Sequence, residues 1–271
     1  MAEDLERKEM SGPTRVLAIS DMHCGHNVGL TPPAWHVSAK ADKKLARIQR
    51  ELWGFYAKKI KELQPVDRLM VLGDCVDGLG KRSGGTEQIT MDRNRQTDMA
   101  AECINFVKAK KVIMVYGTPY HTGNDEDWED IVAGKVNNLV KIGSQEWPEV
   151  NGVIFDIKHK IGASSIPHGR MTALAKAKMW NRLWHSEHER QPMGEILIRA
   201  HVHYHNFCGG PGWIAMTLPA LQGYGSKFGA RECEGTVDIG MVVFDIDEKG
   251  NYEWQLIKAE LPQQKAKILP F

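Results

Sequence analysis

The sequence predicts an α/β protein, a single domain in which helices pack on a sheet. Two observations carry this. Short apolar runs closed by polar loops alternate with amphipathic segments in the order β-α-β-α-β. The 271 residues also contain no internal repeat, no low-complexity tract and no Pro/Gly-rich linker that would divide them. The expected boundaries are a polar segment at 1–13, the domain at 14–260 and a loosely held tail at 261–271.

The elements follow in order. TRVLAIS (14–20) is a branched, apolar run of the kind that forms a buried strand. Residues 38–63 carry Leu45, Ile48, Leu52, Phe55, Ile60 and Leu63 at helical spacing, with lysines and arginines on the other face. DRLMVLGD (67–74) reads as a second strand, followed by a helix near 96–109, a third strand at 112–116 and a helix over 127–141. Further strands are expected at 152–158, 195–200, 213–218 and 239–246. The last of these pairs with 251–258 across DEKGN, a hairpin turn signal.

Composition bounds the function. An apolar content of 42% is ample for a core, and a formal charge of +1 provides no global basic field. Nucleic acid would have to be held by a local patch. Cys24, Cys75, Cys103, Cys208 and Cys233 are odd in number and lack CxxC spacing, so reduced thiols are expected rather than a disulfide framework or a zinc ribbon. The start, MAEDLERKEMSGPT, is polar and charged and lacks a basic start followed by an apolar stretch, so no signal peptide is expected, and no run approaches the roughly 18 apolar residues of a membrane span. A cytoplasmic chain without a membrane partner is expected.

The strand ends carry the chemistry. The first strand runs into SDMHCGH, with Asp21, His23 and His26, and the second into GDCVD, with Asp74 and Asp77. The third runs into GTPYH, with His121. Later come IPHG, with His168, and ILIRAHVHYH, with His201, His203 and His205. Asp-x-His or His-x-His at a strand end points both side chains the same way, because the pleat has period 2. Carboxylates and imidazoles suit manganese, iron or zinc. An aspartate after a strand is usually a turn residue and a lone histidine usually structural, but five such pieces in order at strand ends favour a site rich enough for two metals. A closed structural zinc site is disfavoured by the aspartate-rich, cysteine-free set.

The order D-x-H, GD-x-x-D, H, then H-x-H resembles the calcineurin-like metallophosphoesterase superfamily over roughly residues 14–245. The resemblance implies two packed β-sheets flanked by helices, an α/β/β/α sandwich, with a dinuclear centre at the strand ends. By position, Asp21, His23 and His203 would hold the first metal, Asp74 would bridge, and His168 and His201 would hold the second. Asp77 would order the loop. Two divalent ions are implied, manganese first, with iron, zinc or nickel as alternatives. Ala200 stands where the family has glycine, a mild departure.

The third motif departs further. The family has Gly-Asn-His followed by an acid, whereas Thr118 and Pro119 follow Gly117 here and His121 comes two residues late. His121 is the expected leaving-group proton donor. It could instead replace the missing asparagine on the metal, as could Thr118, or Asn124 in a shifted register. The implied activity is hydrolysis of a phosphate ester, with phosphodiesters, nucleic acid among them, preferred over phosphomonoesters or phosphoproteins. His26 is a candidate substrate contact, with loop structuring as the equal alternative. Residues 170–190 interleave Arg170, Lys176, Lys178 and Arg182 with Trp180 and Trp184, a pattern that can track a nucleic-acid backbone. The competing reading, which is preferred, is an amphipathic helix packing Met179, Trp180, Leu183 and Trp184 on the body. The basic stretch 80–96 is a candidate substrate loop. A binding scaffold that has lost activity is the alternative class, disfavoured because six expected ligands are present.

Overall fold

The computed structural model describes residues 12–123, 127–224, 237–260 and 268–270. Most of the expected N-terminal segment and tail, and Asn124 and Cys233, lie outside these residues. Two sheets pack face to face between helices. The first has the order β11-β10-β1-β2-β3-β4 and the second β5-β6-β7-β9-β8. Strands β1 (Thr14–Ile19), β2 (Arg68–Leu72), β3 (Lys111–Val115) and β4 (Leu139–Gly143) run parallel. The hairpin of β10 (Gly240–Ile246) and β11 (Tyr252–Lys258) joins them antiparallel through β1. In the second sheet, β6 (Val153–Ile157), β7 (Ile196–Arg199) and β9 (Trp213–Thr217) are parallel, with β5 (Glu149–Val150) and β8 (Asn206–Gly210) at the edges.

Strand alternation builds the layers. Leu17 and Ile19 of β1 face a core shared with α1 (Lys43–Leu63) and α2 (Arg93–Phe106), which contribute Leu52, Tyr56, Ile60, Met99 and Ile104. Their neighbours Val16 and Ala18 face the other way. There they meet Phe155, Ile198, Met216 and Phe244 in the inter-sheet core. Leu197, pointing outward from the second sheet, packs with Leu174 of α5 (Arg170–His188). The result is the expected α/β/β/α sandwich. Among the described residues, no helix is long and apolar enough to cross a membrane.

Helix starts are set by caps rather than by the apolar pattern. Asp42 accepts the Leu45 N–H at 2.9 Å, so α1 begins at Lys43 rather than 38. Asp92 accepts the Asn94 N–H at 3.0 Å and starts α2 before 96. The helix expected over 127–141 is corrected. A short helix α3 (Pro119–Thr122) precedes α4 (Trp128–Ala133), which stops before Gly134, and the chain turns through Asn138 at a φ of 59° into β4. β4 is an edge strand with much of its surface exposed, so it lacks the alternation that would have marked it. The two-residue β5 and the glycine-ending β8 are also invisible to pattern.

The expected packing of α5 is corrected as well. Leu174, Lys178 and Asn181 form its buried face, whereas Met179 and Trp180 are exposed and Leu183 and Trp184 half-buried. Lys178 donates to the Gly194 carbonyl and Asn181 to the Pro192 carbonyl, so polar bonds to the 190–195 loop orient this helix.

The last turn of α2 depends on α1. The fully buried Tyr56 hydroxyl donates to the Cys103 carbonyl at 2.8 Å, and Gln64 donates to the Val107 carbonyl at 3.0 Å. Tyr56→Phe should leave that carbonyl without its donor and cost about 1–2 kcal/mol. The measurement is a lower urea midpoint with an unchanged m-value.

Candidate metal centre

The C-terminal ends of β1, β2, β3, β6 and β7 open at one end of the sandwich, and their loops bring three overlapping ligand groups together. These are Asp21, His23 and His203; His23, Asp74 and His121; and Asp74, His159 and His201. Within each group one ligand atom per residue lies within 4.8 Å of the others. Asp74 and His23 are each shared by two groups, which joins the cluster into one centre.

His168, the histidine assigned by resemblance to the second metal, is not among them. It is exposed on the 3₁₀ turn Pro167–Gly169, where β6 has already ended and the chain is approaching α5. His159, two residues past the end of β6, takes the place beside Asp74, with Nε2 3.0 Å from Asp74 Oδ2. The signal is present in DIKHK, a histidine directly after an apolar run, and matches the pattern at the other strand ends.

Hydrogen bonds behind the imidazoles fix which nitrogen faces inward. His159 donates Nδ1–H to the Leu72 carbonyl at 2.6 Å. His23 donates Nδ1–H to Asp77 Oδ1 at 3.0 Å, and His121 donates Nδ1–H to the Asp77 carbonyl at 2.9 Å. Each leaves Nε2 free for the centre, the usual arrangement behind metal-ligating histidines. The His23 and His203 Nε2 atoms lie 3.1 Å apart, and His203 Nε2 is 3.2 Å from Asp21 Oδ1. Two imidazole nitrogens pointing at each other require a proton or a cation between them. Asp21 Oδ1 is buried facing the Nε2 atoms of His203 and His23, and His159 Nε2 is buried facing Asp74. The ion-pair contacts of Asp21, Asp74 and Asp77 among the described residues are all to histidines. Buried carboxylates lacking lysine or arginine and surrounded by inward-facing Nε2 atoms form a donor set that fits divalent cations.

The charges show the same need. Burial opposes ionisation of Asp74, but the charges of His159 and His121 and hydrogen bonds from His159 and His201 together outweigh it and hold the carboxyl well below the usual range. The reciprocal effect raises His159 to about 10 against its own burial, mainly through the charge of Asp74. Burial and the charge of His121 push His23 down to about 4. Without a cation the carboxylates recruit protons onto imidazoles instead.

The remaining predicted residues are placed as follows. His26 is buried, its Nδ1 accepting the Val28 N–H at 3.1 Å and its backbone bridging Gln88, so it orders the loop; burial lowers its pKa. Thr118 donates its N–H to Asp74 Oδ1 at 2.7 Å and approaches the same carboxylate with its hydroxyl at 3.1 Å. Its contact is therefore with the carboxylate. Cys24 and Cys75 are fully buried, as expected of packing residues. His205 donates Nδ1–H to the Thr217 carbonyl at 2.8 Å and is in none of the ligand groups. The 80–96 stretch is tied down by backbone bonds from Asn27 to Glu87 and from Ile89 to Gly25, and Gln88 donates to Asp77.

Fold and site together define a two-sheet sandwich with a cluster of histidines and aspartates able to bind metal. No protein-family model matches the chain. No curated protein matches it either. Solved structures are similar to it at low identity. Vps29 from Entamoeba histolytica complexed with zinc is 14% identical with a TM-score of 0.43, over 90% of this chain and 99% of that one. An archaeal phosphodiesterase is 12% identical with a TM-score of 0.44, over 90% and 100%. A predicted phosphoesterase from Streptococcus pneumoniae is 9% identical with a TM-score of 0.38, over 90% and 98%.

His159→Ala should therefore lower bound divalent metal, measured by elemental analysis after equilibration with Mn²⁺, whereas His168→Ala should match wild type. Because metal must displace a proton from His159, apparent affinity should rise with pH between about 6 and 10. Calorimetry in buffers of different ionisation enthalpy should show net proton release.

Proposed function

We propose that the protein is a metal-dependent hydrolase of phosphate esters, acting on phosphodiesters, with two divalent cations held by Asp21, His23 and His203 and by Asp74, His159 and His201. The observation that supports this reading most is the pair of three-ligand sets linked through Asp74 and His23. Bound cations, manganese first among the candidates, supply Lewis acidity toward the phosphoryl oxygens and activation of water.

The chain's own groups bind, orient and move protons. Asp77 fixes His23 through its carboxylate and His121 through its carbonyl, so both rings present Nε2. The two rings meet edge to face at 4.5 Å, which sets His121 at the rim of the ligand cluster. Burial pushes the His121 pKa down, but the hydrogen bond to Asp77 and the charge of Asp74 outweigh it and raise it to about 9. His121 therefore carries a proton at neutral pH before cations bind, and added positive charge nearby brings it back toward neutrality. That range suits a donor to the departing ester oxygen. Thr118 holds the Asp74 carboxylate rather than replacing the asparagine of the resembled family as a ligand. Burial pushes the Cys24 and Cys75 thiols well up, which argues against either as a nucleophile.

The support for nucleic acid as the diester is the outward face of α5. It exposes Met179 and Trp180 beside Lys176 and Arg182, a combination that suits stacking bases and neutralising phosphates.

The test is a panel of bis- and mono-aryl phosphates, cyclic nucleotides, and single- and double-stranded DNA, with added Mn²⁺. Chelation should abolish turnover and Mn²⁺ should restore it. Full turnover in verified metal-free protein would overturn the reading. His121→Ala should retain its metal yet lose roughly 10²–10⁴-fold in rate on esters with poor leaving groups. With nitrophenyl esters, which need little protonation, the loss should shrink, and an equal loss on both would remove the proton-donor role.

A further inference from the structure

We infer that Glu129 is a positioning residue for the centre, a buried carboxylate that sets the spacing of the loops after β2 and β3 by accepting one backbone N–H from each. The parallel ladder between these strands ends at the Leu72–Val115 pair. Beyond it, Glu129 supplies the link. Its Oε1 accepts the Cys75 N–H at 2.8 Å and its Oε2 the Gly117 N–H at 2.6 Å. These two residues flank the contact that matters, since Cys75 follows Asp74, Gly117 precedes Thr118, and Thr118 N–H holds Asp74 Oδ1 at 2.7 Å.

The approach of the loops is close. A Cβ on Gly117 would lie 2.2 Å from Asp74 Oδ1 and 2.3 Å from its backbone nitrogen, so the two segments touch with no side chain between them. A small opening of this gap would move Asp74, the group shared by two ligand sets. Glu129 is fully buried and, among the described residues, makes no ion pair with lysine or arginine, so holding these two amides is the work the structure gives it. It projects from the first turn of α4, where Asp127 accepts the Glu129 N–H at 3.1 Å and fixes the helix start.

The geometry requires a side chain with two acceptor oxygens and this length. Glutamine fills the same space but turns an N–H₂ toward one of the amides. Aspartate keeps the charge but is one methylene too short to reach both.

The inference rests on the reading of Asp74 as a metal ligand, and the experiment separates the two. Wild type, Glu129→Gln and Glu129→Asp are titrated with Mn²⁺ alone by calorimetry, with metal-free melting temperature and circular dichroism measured on each. Tyr56→Phe is the control for a general loss of stability in the core. Both Glu129 variants should fold and bind Mn²⁺ about 10–100-fold more weakly, as loss of a group supporting a ligand does, while Tyr56→Phe binds as wild type. Wild-type affinity in Glu129→Gln would overturn the clamp, and wild-type affinity in Glu129→Asp would reduce Glu129 to a charge and overturn it too. Loss of the folded state in both variants would assign the residue to stability alone and likewise overturn the positioning role. Failure of the wild-type protein to take up Mn²⁺ would overturn the metal centre itself, and this inference with it.

Discussion

Asp74 lies inside the protein with its carboxylate 3.0 Å from His159 Nε2, 4.0 Å from His201 Nδ1 and within reach of two donors on Thr118. A buried charge of this kind is tolerated only where the surroundings meet it. The surroundings here come from both sheets. β2 carries the aspartate, β3 delivers Thr118, β6 ends near His159 and β7 near His201. The inter-sheet core of Val16, Phe155, Ile198 and Phe244 determines how near these strand ends come to one another. Packing in the middle of the sandwich and charge at its rim are thus one problem, because a shift of one sheet against the other would strand the carboxylate.

The backbone at the centre is held in conformations that most residues avoid. Asp21, His23, Asp74, His201 and His203 all have positive φ, between 46° and 74°, and make up five of the nine such non-glycine residues described. Each costs on the order of 1–3 kcal/mol and persists only where its neighbours enforce it. Backbone bonds from Asp21 to Gly73, from His23 to Asp74 and from Cys24 to Cys75 supply that enforcement. The cluster of left-handed ligands is where a fold optimised only for stability would look different, and it sits at the proposed chemistry.

Much of this is legible from residue order. The continuous apolar runs in TRVLAIS and DRLMVLGD identify the central strands, and polar groups at their ends mark Asp21, His23, Asp74, His201 and His203 as candidates for one site. His159 escapes because the match to a known motif draws the assignment to IPHG, although DIKHK has the same strand-end form. The clamp by Glu129 cannot be read at all. WEDIV looks like an ordinary helix start, and only tertiary folding turns its glutamate toward Cys75 and Gly117. Edge strands β4 and β8 escape for a different reason. An edge strand with exposed faces needs no apolar alternation, so it leaves none in the sequence.

The ligands are also far apart along the chain. His23 and His203, whose Nε2 atoms lie 3.1 Å apart, are separated by 180 residues. A chain growing from its N-terminus meets the first carboxylate and imidazole early and the last histidine only after β7 of the second sheet has been made. Until then each half presents an incomplete set of donors, too sparse to retain an ion firmly. A metal held by this cluster would therefore not serve as a seed for folding in the way it does in small zinc domains. It would be captured by a nearly finished sandwich, and its arrival would report that both sheets have docked in register.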